Sequence, residues 1–278
     1  MSRKLPPSLS FLCPYECDLE RVGSKRDGGY VLPSKVVRET HHLLSIGISN
    51  DWSFEETLTR CNKGMKVYAF DRSVGSLVFL YIGFRDILNR RKWKLRKDQL
   101  NKFGHAVYWL KMSARFRFFF RGNRKFSRRW VKQSATLPSE VTFSKAVSQV
   151  SKIGSLVIKI DIEGDEYSLL SQLRDALIDR RDQVAALVLE MHDTEDRRAE
   201  FEQFVREIGA IMPMVHIHGN NCRAYGADGL PTFVEVTFAR RDLVGDSRVL
   251  QFPRSGLDYP NDPELPELEF KFEVPAAG

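Results

Sequence analysis

His42-Leu43-Leu44-Ser45-Ile46-Gly47-Ile48-Ser49-Asn50-Asp51 is a nearly continuous apolar run that breaks at a glycine and a cluster of turn formers. The amphipathic residues 53–61 follow directly, so the segment reads as strand, tight turn, helix. Downstream, residues 65–70 form a second apolar run closed by Asp71, and the spacing from Gly47 to Asp71 fits one βαβ unit with parallel strands. Residues 155–160 end in Asp161-Ile162-Glu163-Gly164 and lead into a periodic segment over 166–176. Residues 184–189 repeat the plan, ending in Glu190-Met191-His192-Asp193 before a helical stretch over 197–208. Near-continuous Val, Ile and Leu strands alternating with helices predict an α/β fold whose parallel sheet is covered on both faces. Residues 214–218 and 232–239 are joined by a loop rich in Gly and Asn without a helix, which predicts an antiparallel pair closing one edge.

The chain has 278 residues, enough for one large α/β domain with insertions. Residues 1–40 read as a lead-in packed on the core, 41–242 as the main domain and 243–278 as a Pro- and acid-rich tail extended along the surface. No apolar run reaches the length of a membrane span. Pro6, Pro7 and Pro14 interrupt the short apolar stretch near the N-terminus, which argues against a signal peptide and leaves a cytoplasmic location as the expectation. Four scattered cysteines, Cys13, Cys17, Cys61 and Cys222, argue against a disulfide framework or a zinc site.

The net charge of +7 is unevenly placed. Residues 85–132 carry 17 Lys and Arg against two acids, Asp86 and Asp98. Removing these from the chain's 43 basic and 36 acidic residues leaves 26 and 34, so an acidic body carries one basic segment. That segment reads as an insertion, helical over 85–102, around a short third strand near 106–110.

In open α/β sheets, ligands bind outside the carboxyl ends of the strands, where strand order reverses. Gly47 permits close backbone approach there, and Asp71 is placed to accept hydrogen bonds from ribose hydroxyls. The phosphate-binding pattern G-x-G-x-x-G does not follow Gly47, and no P-loop occurs, which disfavours NAD and nucleoside triphosphates. S-adenosylmethionine carries no phosphate and is compatible with such a turn.

Several short blocks occur in order between about residues 20 and 242. They are Arg21-Val22-Gly23 with Asp27-Gly28-Gly29-Tyr30, Ser45-Ile46-Gly47-Ile48 with Asp51 and Ser53-Phe54-Glu55, and Val67-Tyr68-Ala69-Phe70-Asp71. Lys159-Ile160-Asp161-Ile162-Glu163-Gly164 with Glu166, Leu189-Glu190-Met191-His192, His218 with Asn220-Asn221, and Glu235-Val236-Thr237-Phe238 complete the set. In these blocks the chain resembles the FkbM-like family of S-adenosylmethionine-dependent methyltransferases. The resemblance implies a Rossmann-like class I methyltransferase fold, a mostly parallel seven-stranded sheet with an antiparallel C-terminal edge. It implies a cofactor bound by Gly47, Ile48, Asp51, Asp71 and Asp161, and O-methylation of a sugar-type hydroxyl. Ser49 stands where a second glycine is common in the family, and the basic segment is longer than the family pattern needs.

For a hydroxyl acceptor, a base within hydrogen-bond reach is required. Asp161, Glu163, His192, His218 and Asn220 are the candidate catalytic residues, with His192 the leading base and His218 next. Asp161 and Glu163 also suit capping of the following helix, and His218 and Asn220 suit ordering of the hairpin loop. A divalent ion held by Asp161 with Glu190, His192 or Asp193 is compatible with oxygen-rich ligands. His216 and His218 share one side of a strand but lack a clear third ligand. Arginines interleaved with Trp109, Phe116, Phe118, Phe119, Phe120 and Trp130 suit an anionic membrane surface, near a glycan or lipid-linked saccharide acceptor, or nucleic acid. A nucleic-acid methyltransferase and a catalytically inactive binding protein are the competing readings, because fold alone does not separate them.

Overall fold

The computed structural model describes residues 2–88 and 96–273, with side chains described throughout except at 86–103. The N-terminal part contributes β1 (Arg3–Leu5), the antiparallel hairpin β2 (Leu19–Val22) and β3 (Tyr30–Pro33), and the short helix α1 (Ser34–Glu39). The first half of the core runs β4 (His42–Ile46), α2 (Ser53–Cys61), β5 (Lys66–Phe70), α3 (Ser76–Leu88), α4 (Arg96–Phe119) and β6 (Arg124–Ser127). Two short parallel strands, β7 (Trp130–Lys132) and β8 (Glu140–Thr142), and α5 (Phe143–Ser148) return the chain to the sheet. There it adds β9 (Leu156–Ile160), α6 (Leu170–Asp179), β10 (Val184–Met191), α7 (Arg198–Gly209), β11 (Met214–Gly219) and β12 (Val234–Ala239). The strands β13 (Gln251–Phe252) and β14 (Phe270–Phe272) close the chain.

The main sheet has seven strands in the order β11-β12-β10-β9-β4-β5-β6. Only β12 runs against its neighbours. The chain winds outward from β4 to β5 and β6, then returns to β9 on the other side of β4. The strand order therefore reverses between β4 and β9, which places the ligand-binding crevice of an open α/β sheet at their carboxyl ends. This is a Rossmann-like, mostly parallel seven-stranded α/β architecture, with the antiparallel edge formed by β12 and β11.

The period of two along each central strand sorts side chains onto two cores. Leu44, Ile46, Ile158, Ile160, Leu187 and Leu189 face one layer, built on α5, α6 and α7. Leu43, Val67, Val157, Ala186 and Val188 face the other, where Trp52, Phe54, Phe79 and Phe116 pack. Because both faces are covered, the strands carry no polar alternation, and this is why they read as continuous apolar runs.

Two expectations are corrected. Residues 106–110 are helical, not a strand: they lie within α4, where Met112, Phe116 and Phe119 are buried at i, i+4 and i+7 on one helix face. The third strand of the order is instead β6, an edge strand whose one large apolar side chain is Phe126, a composition that gives little strand signal. Part of the helix expected over 85–102 lies outside the described residues. The tail, expected to run along the surface, is partly internal. Phe252 and Phe270 are buried, and β14 pairs in parallel with β1 and antiparallel with β13. Among the described residues no helix is long and apolar enough to cross a membrane.

Candidate functional site

Gly47 ends β4 with φ 79°, a left-handed conformation, and a Cβ built there would lie 1.6 Å from the Asp161 carbonyl oxygen. Only glycine lets the two central strands meet this closely at their carboxyl ends. The next two amides, of Ile48 and Ser49, both donate to Asp71 Oδ2 at 2.9 Å. Asp71 Oδ1 accepts from the Ser73 amide at 2.7 Å and the Ser73 hydroxyl at 2.6 Å. The carboxylate that ends β5 thus holds the turn that follows β4. Asp51 accepts from the Ser53 amide at 2.8 Å, forming an Asx turn that leads into α2, outside the cleft lining.

Gly47, Ser49, Phe70, Asp71, Arg72, Arg129, Trp130, Lys132, Asp161, Ile162 and Glu163 line one cleft of about 210 Å3 at the crossover. Lys132 pairs with Asp165 at its edge. Ser49 (φ 46°), Glu163 (57°) and Asp193 (52°) are the non-glycine residues with positive φ among the described residues. They sit just after β4, β9 and β10, three adjacent strand ends. Such conformations cost ~1–3 kcal/mol each and collect at functional sites.

Asp161 does not cap a helix. Its Oδ2 accepts from the Tyr30 hydroxyl at 3.0 Å and lies 3.7 Å from the buried Lys159 ammonium, whose hydrogen bond goes to the Gly47 carbonyl at 2.8 Å. Burial pushes the Asp161 carboxyl above the usual carboxylate range, with Lys159 opposing the shift. Burial disfavours charge on Lys159, but Glu55 and Asp161 outweigh it and raise its pKa. The cap of the β9 loop is Glu166, fully buried, whose carboxylate accepts from the amides of Ile162 and Gly164.

His192 is 4% exposed, with Nδ1 3.1 Å from Glu166 Oε1 and Nε2 3.6 Å from Glu163 Oε2. Burial disfavours its charge, but the Glu166 contact prevails and raises its pKa to about 9. A raised pKa favours the protonated imidazole and so works against the role of base expected for it. His218 is enclosed further from the cleft, between Glu235 at 3.3 Å and Glu267 at 2.7 Å, and its pKa rises to about 10 against the effect of burial. Both of its nitrogens are committed. His216 lies 2.9 Å from Asp258, so this histidine pair ties the tail to β11.

Asn220 donates from Nδ2 to Glu190 Oε1 at 2.7 Å and accepts the Cys222 amide at 2.9 Å. Asn221 holds the tail through the backbone of Asp262 and Leu265. Glu190 is buried, and its carboxyl is raised well above the ordinary range by burial and by the neighbouring Asp161 and Glu235. Two groups of ligand atoms converge within 4.8 Å of one another: Asp161, Glu190 and His192, and Asp27, Glu190 and Glu235. Asp193, a ligand candidate on sequence grounds, belongs to neither.

Tyr30, Lys159, Glu166, Glu190 and Asp27 thus stand beside the predicted site residues. All lie in the sequence blocks quoted above, so their signal was present in the pattern. The roles of Tyr30 and Asp27 depend on a fold-back of the β2–β3 hairpin that no local pattern announces. Arg21 organises that fold-back, donating to the Ser24, Arg26 and Leu257 carbonyls and thereby shaping the turn that delivers Tyr30 to Asp161.

No protein-family model matches the chain, and no curated protein matches it. Among solved structures, the spermidine synthase of Thermotoga maritima is 14% identical with a TM-score of 0.40, over 74% of this chain and 56% of that one. The fibrillarin pre-rRNA processing protein of Methanococcus jannaschii is 10% identical with a TM-score of 0.34, over 73% and 68%. Precorrin-6y C5,15-methyltransferase of Geobacter metallireducens is 11% identical with a TM-score of 0.34, over 73% and 82%. These likenesses are distant, and the fold rests on the strand order itself.

Proposed function

We propose that the chain is an S-adenosylmethionine-dependent O-methyltransferase of the FkbM-like kind, acting on a hydroxyl of a sugar or lipid-linked saccharide. The observation that carries this reading is the meeting of Gly47, Asp71 and Asp161 in one cleft at the β4/β9 crossover. The residues present suit the cofactor. The Ser73 hydroxyl already donates to Asp71 Oδ1, so that oxygen accepts an O–H of the kind a ribose offers. Phe70, Val131 and Ile162 provide apolar walls for an adenine ring, and Lys132 and Arg129 provide cations for a carboxylate. Ile48 acts through its backbone amide, and Asp51 through the turn that leads into α2.

S-adenosylmethionine supplies the methyl group; the protein has to hold an acceptor hydroxyl and take its proton. Asp161 is the base in this reading. It reaches the cleft, burial raises its pKa above the usual carboxylate range, and Tyr30 and Lys159 fix its orientation. Glu163, exposed on the same rim, orients the acceptor, and protonated His192 stabilises charge beside Asp161. Asn220 positions Glu190, and His218 braces the wall behind it.

A second reading adds a divalent ion on Asp161, Glu190 and His192, favoured by the convergence of these three and by the charge repulsion that a cation would relieve. Magnesium-dependent activity abolished by a chelator supports it, and activity indifferent to chelation removes it.

Calorimetry with S-adenosylhomocysteine tests the main reading. Saturable binding by the unaltered chain is expected, weakened at least tenfold, about 1.4 kcal/mol, in Asp71→Ala. Asp71→Asn, which keeps one acceptor oxygen for the turn, separates lost ribose contact from a collapsed loop. Absence of binding by the folded, unaltered chain overturns the proposal.

A further inference from the structure

We propose that the paired helices α3 and α4 form a docking surface for an anionic lipid bilayer. On α3, Leu77, Tyr81 and Phe84 are 75%, 66% and 52% exposed. Their spacing, i, i+4 and i+7, puts them on one helix face. The opposite face is already used: Phe79 stacks on Trp109 at 5.5 Å, and Gly83 lies against Ala106 and Leu110. The exposed stripe is thus a second apolar face with no internal partner among the described residues.

The pair projects from the rim that carries the cleft. α3 begins five residues after Asp71, and the Ser113 hydroxyl of α4 donates to the Ser76 carbonyl at 2.8 Å. From Ser113, α4 descends to Phe119 and delivers β6, whose Arg124 pairs with Val67 at the opposite end of the sheet. The part of α4 before Ser113 therefore lies beyond the strand ends. At 1.5 Å per residue, Arg96 to Ser113 extends roughly 25 Å past the rim.

The charge of this projection matches an anionic surface, since α3 and the part of α4 before Ser113 carry Arg85, Arg96, Lys97, Lys102 and Lys111 against Asp86 and Asp98. On α4, Lys111 and Arg117 are exposed, whereas Arg115 is bound to Glu56. Nucleic acid would satisfy the cations and offer stacking to Tyr81 and Phe84. It would leave Leu77, the most exposed of the three, without an apolar partner, and an interfacial bilayer satisfies both sets. The inference stands apart from methyl transfer, and links to it by setting the cleft mouth beside the lipid surface.

Sedimentation of the full chain with phosphatidylcholine vesicles, with and without phosphatidylserine, provides the test. We expect binding that requires phosphatidylserine and falls with salt. Leu77→Glu/Tyr81→Glu/Phe84→Glu should weaken it at least tenfold, and Lys111→Glu/Arg117→Glu should weaken it too, at unchanged melting temperature and unchanged S-adenosylhomocysteine binding. Should the triple variant fail to fold, Tyr81→Ser/Phe84→Ser replaces it with the same expectation. The inference is overturned if the unaltered chain ignores anionic vesicles, if the stripe variant binds them fully, or if an arbitrary RNA is retained while vesicles are not.

Discussion

The carbonyl oxygen of Asp161 occupies the space a side chain at position 47 would fill: a Cβ there would sit 1.6 Å away. Gly47→Ala therefore has to separate β4 from β9 or rotate a peptide that already has positive φ. We expect a loss of at least ~2 kcal/mol in urea unfolding, in line with overpacked cores, and lost S-adenosylhomocysteine binding. An alanine variant of wild-type stability contradicts the described approach of the two strands.

Stability should decline on the alkaline side. His192 and His218 have folded pKa values raised to about 9 and about 10 from an ordinary 6.5. Between these limits the folded state holds protons that the unfolded state releases. Their contribution is complete below about pH 6.5 and disappears as pH rises through 9 to 10. Melting temperature measured from pH 6.5 to 10 should fall, and His218→Asn should flatten the slope. The same variant leaves Glu235 and Glu267 without their shared partner, so its melting temperature at pH 7 should also drop.

Glu190 is an acid whose environment opposes its charge, through burial first and then Asp161 and Glu235. Glu190→Gln keeps the shape and the contact to Asn220 while removing the repulsion. Denaturant unfolding at pH 7 is expected to show stability equal to the parent or higher by up to about 1 kcal/mol. A marked destabilisation would mean that a charged Glu190 is needed and that a cation sits among these carboxylates.

The fold was largely readable because the central strands are buried on both faces. Residues 42–46, 66–70 and 156–160 could be nothing but internal strands, and the turns after them carry Gly47, Asp71 and Asp161. Edge elements were less legible. β6 is half charged, in keeping with an edge strand that meets no strand on one side, and α4, which contains 106–110, mixes aromatic and basic residues in no clean period. The site was legible as positions rather than as chemistry. That Asp161 and Asp71 line one cleft followed from the sheet, but the charge states of His192 and His218 depend on Glu166, Glu235 and Glu267, of which Glu267 lies in the tail. No spacing rule connects residue 218 to residue 267.

The parallel pairing of β1 with β14 sets Arg3 beside Phe270 and Leu5 beside Phe272. During synthesis β1 thus has no sheet partner until residue 272 has been added, while the doubly wound centre can close much earlier. A chain halted before that point retains the crossover yet leaves Leu5 and Leu9 without the strand that covers them.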